Sequence, residues 1–491
     1  EEPAVSFQGI FDRNGIESRP FTIEYVAGFL ELSLGLSAWK SYGGNSWALR
    51  MNPSSGNLHP VEGYLVLPPL LKTDIPGGVY HYSPLIHCIE RRAAFDEGFW
   101  SRIRQSFPAG FFAVLTSIHW RESWKYGERA FRYSHLDMGH AIAAMSFSAA
   151  LFGWKVTYLN ALSDREVETI LGFTKTRWKQ FEREEAGPLL FVHGAGEREI
   201  PRRLTTDIVS TLDALSFAGE PNLLSRRHRD WGVIDDASEA TAKPPTQAET
   251  YGYGDHPFAL ENAPHVAATS VIRKRRSALA FDAETALAGD HFFDILDRTI
   301  PRDGCSPFDA GIGNSSINLL IFAHRITGLE PGLYFLIREN KHVEEMKREL
   351  RSGFLWEKAP ETPKALPLYI LERGDFRSKA QSASCDQDIA ADGAFAVAMI
   401  AQFRNVIGQE PYRYRQLHWE AGMIGQVLYL ASEAHGMRGT GMGCFFDDVV
   451  HELLGLRDNT YQDLYHFGAG RPVEDTRIAT LPPYQHLQKE K

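Results

Sequence analysis

The sequence predicts an α+β fold that occurs twice in one chain. Two observations support this prediction: short strand-like apolar runs alternate with long helical ones, and landmarks recur in the same order at nearly constant spacing. Phe112-Ala-Val114 recurs as Phe395-Ala-Val397, and Leu171-Gly-Phe173 recurs as Leu454-Gly-Leu456, both 283 residues later. Two copies at so long a period indicate two related domains rather than a solenoid.

The repeat places one domain at residues 1–205 and the second at 266–491, each expected to be an antiparallel-rich sheet packed with helices. Between them, residues 206–265 lack steady periodicity and carry turn formers such as Pro244-Pro245. Because roughly 60 residues is long for a linker, we expect this stretch to wrap along a domain surface.

Apolar periodicity predicts the individual elements. Helices are expected where apolar residues recur every three to four positions, and strands where short β-branched or aromatic runs end at turn formers. In the first copy these are a helix at Val26–Leu36, strands at Tyr64–Leu67 and Val79–Tyr82, a helix or buried strand at Phe111–Ile118, and a helix at His135–Phe152. In the second copy they are helices at Gly393–Phe403 and Glu420–His435.

Composition excludes several classes of protein. Of the 491 residues 43% are apolar, which is enough for sizeable cores, and the net charge of −10 argues against nucleic acid as a partner. The longest weakly polar helical runs fall short of the roughly 20 residues that a membrane span needs. We therefore expect a soluble, cytoplasmic protein with no membrane partner.

The four cysteines, Cys88, Cys305, Cys385 and Cys444, are far apart in the sequence and form no C-x-x-C pair. This spacing fits a reducing compartment and gives no zinc signature. The histidines show no metal-ligand spacing either, so no metal site is expected.

A polar loop at Arg50–Glu62 precedes the strand at Tyr64–Leu67. Pro53 fixes one backbone angle, Ser54 and Ser55 offer hydroxyl groups, and the Asn57 amide both donates and accepts hydrogen bonds. Such a loop suits a planar polar ligand with several heteroatoms. The alternative is a plain Pro-Ser-Gly turn with no ligand.

A short basic run opens the second copy. Arg273-Lys-Arg-Arg-Ser277 sets four cations beside a serine, directly before an apolar stretch. Arginine supplies forked donors that match phosphate, and serine adds one more donor, so this run predicts a phosphate-binding site. A solvated basic face is the alternative.

Together these motifs resemble the nitroreductase superfamily. The features that carry the resemblance are Arg-Arg-Ser opening a domain, Pro-Ser-Ser-x-Asn before a strand, a Gly-rich corner after a long apolar helix, and a late Arg. The family consists of FMN-dependent α+β enzymes that work as intertwined dimers with the flavin at the subunit interface. The resemblance covers nearly all of the chain outside 206–265. It implies two subunits fused into one intramolecular pseudo-dimer, which could act as a monomer.

One branch of the superfamily matches more closely. Trp124–Tyr133 contains Lys-Tyr-Gly-Glu-Arg-Ala-Phe-Arg-Tyr, which is similar to the Lys-Tyr-Gly-x-Arg-Ala-x-Arg-Tyr pattern of that branch, and Pro53–Glu62 also looks more like it than like simple nitroreductases. The branch includes the azoline oxidases of thiazole/oxazole-modified peptide pathways. The resemblance therefore implies a peptide as one substrate class.

The resemblance assigns roles to residues of both copies. The second copy would hold the FMN phosphate and ribityl chain and line the flavin edge with Arg275, Arg276, Ser277, Gly441, Met442, Gly443 and Arg477. The first copy would add the flavin contacts Pro53, Ser54, Ser55 and Asn57, and the catalytic pair Lys125 and Tyr126 over the flavin face. Burial beside Arg129 and Arg132 would lower the pKa of Lys125, as a base requires.

The reciprocal set of residues is degraded. Asn314-Ser-Ser316 lacks the proline, Val406–Gln409 stands where the Lys-Tyr pair belongs, and the first copy opens without Arg-Arg-Ser. Arg202 and Arg203 could still supply charge to a weak second site. One complete and one incomplete set of ligands predict a single active site between the two repeats.

The resemblance implies an FMN-dependent oxidoreductase that transfers hydride between a substrate and flavin N5. Three alternatives stay open: an NAD(P)H-dependent reductase of nitro or quinone compounds, an azoline-to-azole oxidase acting on a peptide, and a degenerate flavin-binding scaffold. The expected partners are a small-molecule or peptide substrate and, for the reductase, NAD(P)H.

The asymmetry between the copies predicts one FMN per chain. Releasing the flavin by denaturation and comparing its absorbance with the protein concentration gives the ratio directly. Close to two flavins per chain would contradict the single complete site.

Overall fold

The structure is a computed structural model that describes residues 3–488 apart from positions 14, 71–72, 180, 197–198, 255, 260–263 and 360. The chain divides into two compact units. Unit 1 comprises Glu1–Tyr251, Gly304–Ile312 and Ile478–Lys491, and unit 2 comprises Gly252–Asp303 and Gly313–Arg477. The predicted boundaries at 205 and 266 stay predictions. Residues 206–251 form part of unit 1, and positions 255 and 260–263 of the predicted linker lie outside the described residues.

The described part of the chain contains helices and strands throughout. The helices are α1 (Gly9–Asp12), α2 (Ile23–Leu34), α3 (Glu97–Ile103), α4 (Trp120–Tyr126), α5 (Ala130–Leu151), α6 (Asp164–Ile170), α7 (Thr206–Asp213), α8 (Gly232–Ala240), α9 (Ala268–Lys274), α10 (Gly289–Asp297), α11 (Val343–Glu349), α12 (Arg377–Ala383), α13 (Asp388–Asp392), α14 (Arg404–Ile407), α15 (Arg413–Ala434) and α16 (Asp447–Leu454). Within the described ranges, none of the helices has both the length and the apolar character that crossing a membrane requires.

The strands, in chain order, are β1 (Leu36–Tyr42), β2 (Asn45–Arg50), β3 (Val61–Leu67), β4 (Gly78–Ser83), β5 (Cys88–Ala94), β6 (Gly110–Ser117), β7 (Trp154–Tyr158), β8 (Glu185–Gly194), β9 (Leu287–Ala288), β10 (Ile317–Ala323), β11 (Ile326–Thr327), β12 (Gly332–Leu336), β13 (Glu357–Lys358), β14 (Leu368–Arg373), β15 (Phe395–Gln402), β16 (Arg438–Met442), β17 (Tyr461–Gly470) and β18 (Ala479–Leu481).

Unit 1 is organised around a six-stranded antiparallel sheet in the order β5-β4-β3-β6-β8-β7. The central strands β3 and β6 are buried along their whole length, which explains why both read as apolar runs rather than as alternating ones. The core on one side is rich in aromatic rings, such as Phe107, Phe112 and Phe191. Helix α5 is buried along nearly its entire length.

Unit 2 repeats this architecture. Its sheet has the order β13-β14-β12-β10-β15-β17-β16, and without the two-residue strand β13 the order reproduces that of unit 1 strand by strand. In each unit a long helix, α5 or α15, connects the strand at the third position from one end to the edge strand at that end. The predicted α+β class, with an antiparallel-rich sheet in each copy, is thereby confirmed. The pseudo-dimer arrangement stays a prediction.

One predicted helix is a strand. Residues Gly393–Phe403 were expected to be helical, but Phe395–Gln402 forms β15, which pairs with β10 on one side and β17 on the other. Residues Phe395 to Ala401 are all buried. Since a short, fully buried apolar run has no alternation, its periodicity does not distinguish a strand from a helix.

The cysteine spacing did not reveal a disulfide that the structure contains. Cys385 and Cys444 form a disulfide although 59 residues separate them, because the fold brings their Cα atoms to 5.8 Å. Among the described residues, Cys88 and Cys305 take part in no disulfide. Distance along the sequence therefore gave no basis for inferring a reducing compartment.

Candidate functional site

The predicted loop and the predicted catalytic pair meet in unit 1. The loop between β2 and β3 turns at Gly56, whose φ of 57° lies in the left-handed region. A Cβ atom at this position would overlap the hydroxyl of Tyr126 and lie 2.9 Å from Nζ of Lys125. Only glycine allows both groups to approach the loop backbone so closely.

Asp137 of α5 fixes this loop. Its buried carboxylate accepts hydrogen bonds from Ser54 Oγ at 2.5 Å, from the Ser55 backbone N–H at 3.0 Å and from Ser55 Oγ at 3.1 Å. Asn57 adds a bond from its side-chain amide to the Ala48 carbonyl at 2.9 Å. The serines that were predicted to contact flavin therefore bind a protein carboxylate.

Asp137 was not among the residues predicted from the sequence. It lies on a helix whose other residues are nearly all apolar or small, and a single acid on such a helix was the available signal. A buried carboxylate is costly unless it is hydrogen-bonded, so its presence in an apolar helix indicates partners elsewhere in the fold.

A second buried acid, Glu122 of α4, lies beside Asp137. Burial raises the pKa of Glu122 to about 10, and the charge of Asp137 contributes in the same direction. Burial also raises the pKa of Asp137, to about 7, although the hydrogen bonds from Ser54 and Ser55 oppose the shift. Neither oxygen of Glu122 receives a hydrogen bond from a donor in the described residues. A proton on Glu122 would allow it to donate a hydrogen bond to Asp137.

Lys125 and Tyr126 end helix α4. Nζ of Lys125 lies 4.9 Å from the centroid of the Tyr126 ring, and that ring packs edge-on against Tyr133 with centroids 5.0 Å apart. Lys125 is exposed, so its expected burial is wrong.

In unit 2, three predicted cofactor residues meet at a residue that the sequence interpretation missed. The hydroxyl of Tyr429, on α15, lies 2.9 Å from Ser277 Oγ and accepts a hydrogen bond from the Gly441 backbone N–H at 2.8 Å. The guanidinium of Arg275 lies over the same ring, 5.2 Å from its centroid. A tyrosine within an apolar helix resembles an ordinary core residue, so its role depends on the tertiary contacts.

The cations of this cluster outnumber its acids. Arg275 is buried and Arg276 is partly buried; burial lowers the pKa of both, and the neighbouring Arg275 charge helps lower that of Arg276 to about 10. The nearby acid is Glu433, whose pKa burial raises, while Arg438 opposes the shift. Several forked guanidinium donors near a single acid favour an anion, and a phosphate fits this donor set.

The remaining predicted residues are placed as follows. Gly441 belongs to β16, and a Cβ atom there would overlap the hydroxyl of Tyr465, so only glycine fits. Met442 is buried, and Gly443 follows it directly after the strand. Arg477 is exposed and forms a forked pair with Asp475 at 2.8 and 2.9 Å.

In unit 1 the hydrogen bonds of Ser54 and Ser55 to Asp137 form what we call the serine clamp. Unit 2 has a corresponding set of contacts. The Ser316 backbone N–H donates to Glu420 of α15 at 3.0 Å, and Ser315 Oγ donates to the same carboxylate at 3.4 Å. Here Nη1 of the fully buried Arg338 forms an ion pair with Glu420 at 2.5 Å. In unit 1 the corresponding acid is beside a second carboxyl group, whereas in unit 2 it is neutralised by a guanidinium.

Comparisons with known proteins agree with this architecture. Residues 46–181 match the sequence profile of the Nitroreductase family. A provisionally named nitroreductase of Methanocaldococcus jannaschii is 25% identical over 159 residues, which cover 31% of this chain and 76% of that protein. A crystal structure of a provisionally assigned nitroreductase from Anabaena variabilis superposes with a TM-score of 0.63 at 22% identity, covering 92% of this chain and 88% of that one.

The relation to the nitroreductase superfamily is thereby confirmed: residues 46–181 carry the family's sequence pattern, and the chain has the nitroreductase fold. This relation supports an oxidoreductase activity. The structure of the E. coli microcin synthetase McbBCD complex with truncated pro-MccB17 bound shares 19% identity and covers 40% of this chain and 71% of that one. Its TM-score of 0.29 is too low to support an inference, so the azoline oxidase branch stays a prediction.

The buried acid pair predicts a pH dependence of stability. Because the pKa of Glu122 in the folded protein lies above its ordinary value of 4.5, the folded state keeps a proton that the unfolded state loses. The free energy of unfolding should therefore fall as pH rises from about 4.5 toward about 10. Glu122→Gln keeps a donor for Asp137 but cannot titrate, so its loss of stability between pH 5 and 8 should be smaller by on the order of 1–3 kcal/mol.

Urea unfolding at the two pH values measures this difference. Glu128→Gln is the matched control, since Glu128 is exposed in the turn that follows α4 and should leave the slope unchanged. If the free energy of unfolding changes equally with pH in Glu122→Gln and the wild type, the predicted shift in the pKa of Glu122 is absent.

Proposed function

We propose that this protein is an FMN-dependent oxidoreductase with one flavin per chain, whose residues come from both units. The observation that supports this most directly is the convergence of Lys125 Nζ and Tyr126 Oη on the Ser54-Ser55-Gly56 turn. The family profile covers this turn and the pair together. When bound, FMN supplies the hydride chemistry that amino acid side chains lack.

The second unit supplies the anion-binding part of the proposed function. Arg275 and Arg276 would hold the phosphate by forked, charge-assisted hydrogen bonds. The Tyr429 hydroxyl contacts both Ser277 Oγ and the Gly441 backbone N–H. A ligand that binds Ser277 would therefore also affect the hydrogen bond at Gly441. Arg477 would add a further cation by exchanging its contact with Asp475, as the family resemblance implies.

The first unit supplies proton transfer. Tyr126 would donate to or accept from a substrate heteroatom through its hydroxyl, and Lys125 Nζ would exchange the proton with solvent because its side chain is exposed. The serine clamp on Asp137 would keep Gly56 in register with both groups. Positioning of this kind matters because proton transfer requires the two atoms to be within hydrogen-bond reach.

The proposed substrate is a small molecule or a peptide. An NAD(P)H-dependent reductase would oxidise NAD(P)H in steady state with a nitro or quinone acceptor, whereas an azoline oxidase would reduce its flavin with an azoline peptide. A scaffold without activity would keep flavin but do neither.

The phosphate site is tested by replacing both arginines. Arg275→Ala with Arg276→Ala removes two charge-assisted contacts, each worth about 1.5–3 kcal/mol, so FMN affinity should fall at least about a hundredfold. Equilibrium titration of the apoprotein with FMN, followed by flavin fluorescence, gives the affinity. Urea unfolding checks that the variant still folds. The corresponding double lysine variant keeps the charge but loses the forked donors, so its FMN affinity should lie between those of the wild type and the double alanine variant.

Arg202→Ala with Arg203→Ala is the control. These arginines of unit 1 contact the Tyr158 carbonyl and Glu166, and their loss should change FMN affinity far less. Equal losses of FMN affinity in both double variants would contradict the assignment of phosphate binding to the second copy.

The catalytic pair is tested separately. Lys125→Ala should retain the bound-flavin spectrum, because the side chain is exposed and few contacts are lost. Flavin reduction by the turned-over substrate in single turnover should slow by about 10²–10⁴-fold, the usual loss for a general acid or base. The rate of flavin reduction by the wild type, plotted against pH, should show a limb that is absent in Lys125→Ala.

Tyr126→Phe keeps the ring against Tyr133 and removes only the hydroxyl, so it separates packing from proton transfer. Lys175→Ala, at another exposed lysine of unit 1, is the control. Wild-type reduction rates in both Lys125→Ala and Tyr126→Phe would make the pair structural and would remove the proposed proton-transfer step.

A further inference from the structure

A short segment of the chain, Gly304–Ile312, belongs to unit 1, although the residues on both sides of it belong to unit 2. The proposed function gives this segment no role. It carries one acid, Asp309, whose side chain is only 3% exposed. A buried carboxylate is costly unless charged or polar groups compensate it, so the partners of Asp309 explain how the segment is held.

Arg13 is the main partner of this segment. Its guanidinium donates to both oxygens of the Asp309 carboxylate, at 2.6 and 3.0 Å, and also to the Gly304 carbonyl at 3.1 Å and to Ser306 Oγ. Nζ of Lys155 lies 3.2 Å from Asp309 Oδ2. Burial opposes the ionisation of Asp309, but the charges of Arg13 and Lys155 outweigh it and lower its pKa to about 2. Asp309 is therefore an anion held by two cations, one of which grips it with the forked geometry that arginine also uses for phosphate.

Both cations have counterparts in the cation cluster of unit 2. Arg13 is the C-cap of α1 and Arg275 is the C-cap of α9, and each of these helices contacts the long helix of its own unit, α5 or α15. Lys155 and Arg438 each lie two residues after a glycine of positive φ that follows the C-cap of that long helix. Unit 1 therefore has cations at two positions that correspond to cations of the cluster in unit 2.

We propose that Asp309 is an internal ligand of a second anion site, in unit 1, and that it keeps an external phosphate group out of this site. Its carboxylate takes the forked hydrogen bonds of Arg13 and the ion pair with Lys155 that a phosphate monoester would otherwise take. Because the carboxylate is part of the chain, its effective concentration at the site exceeds that of a free anion. As an explanation of one flavin per chain this rests on the proposed function, whereas the phosphate site itself does not.

The site reaches solvent at Lys155. The Lys155 side chain is 26% exposed, whereas that of Arg13 is 6% exposed. Removing the carboxylate of Asp309 would leave both cations without their countercharge in a mostly buried place, where an uncompensated charge is destabilising. An anion that enters beside Lys155 would restore the charge balance and stabilise the folded protein.

Equilibrium dialysis of the purified protein, with any flavin it carries, against labelled inorganic phosphate counts the sites. Asp309→Ala should bind about one phosphate per chain more than the wild type. Asp309→Asn has the size of the native side chain, so it is the second variant should the alanine variant not fold, and it should gain the same site at lower affinity because the amide remains there. Adding Arg13→Ala to Asp309→Ala should weaken the gained phosphate binding by about 10–100-fold, since the forked contact is lost.

Asp207→Ala is the matched control. The Asp207 side chain is 71% exposed and pairs with Arg102 at the surface, so its removal leaves a solvated guanidinium and should create no phosphate site.

Urea unfolding gives a second readout. Phosphate should raise the unfolding midpoint of Asp309→Ala more than that of the wild type, relative to chloride at equal ionic strength, because a ligand of the folded state stabilises it. Stabilisation by formate but not by phosphate would show room for a carboxylate alone and would overturn the assignment to phosphate.

The gain of phosphate over the wild type separates this proposal from the proposed function. A gain of one phosphate that depends on Arg13 supports the internal ligand, whatever the wild type itself binds. An unchanged number in both Asp309 variants, or a gain that Arg13→Ala leaves unaltered, overturns it. The site of unit 2 is tested by the FMN affinity of the Arg275 and Arg276 variants, so failure of one proposal does not imply failure of the other.

Discussion

The candidate site in unit 1 depends on one buried carboxylate. Asp137 receives the Ser54 hydroxyl and both donors of Ser55, so it sets the path of the loop that leads into Gly56. A buried carboxylate is costly without such partners, and a loop with three hydrogen bonds to one group has little freedom to move. The position of this loop in turn decides where Lys125 and Tyr126 can lie, because glycine is what leaves room for them.

The acid of the serine clamp has a different neighbour in each unit. In unit 1, Asp137 lies beside Glu122, and burial together with the charge of Asp137 raises the pKa of Glu122. In unit 2, Glu420 has the corresponding serine contacts but forms an ion pair with the buried Arg338. In unit 2 the Glu420 carboxylate therefore has its contacts with serines and a guanidinium of the protein itself. The loss of the Lys-Tyr sequence in the second copy agrees with this difference.

Unit 1 also includes a long irregular segment that is fixed by a few polar contacts. The buried carboxylate of Glu182 accepts hydrogen bonds from the backbone N–H groups of Leu224 and Ser225 at 2.7 and 2.8 Å, and lies 2.6 Å from Nε2 of His228. These contacts hold residues 224–228, directly before Trp231. The segment is therefore fixed in place although it is irregular up to α8, which begins at Gly232.

The sequence by itself determined the α+β class, the repeat, and the motifs that define the family, because strand and helix periodicity and the order of short motifs are local properties of the chain. Through the family resemblance it assigned Ser54, Ser55, Lys125 and Tyr126 to one flavin site, and that assignment stays a prediction. Only the tertiary structure decided that β15 is a strand, that Cys385 and Cys444 are bonded, and that Lys125 is exposed. It alone identified Asp137, Glu122 and Tyr429, since these residues acquire their roles from partners tens to hundreds of residues away, and sequence spacing does not fix those distances in space.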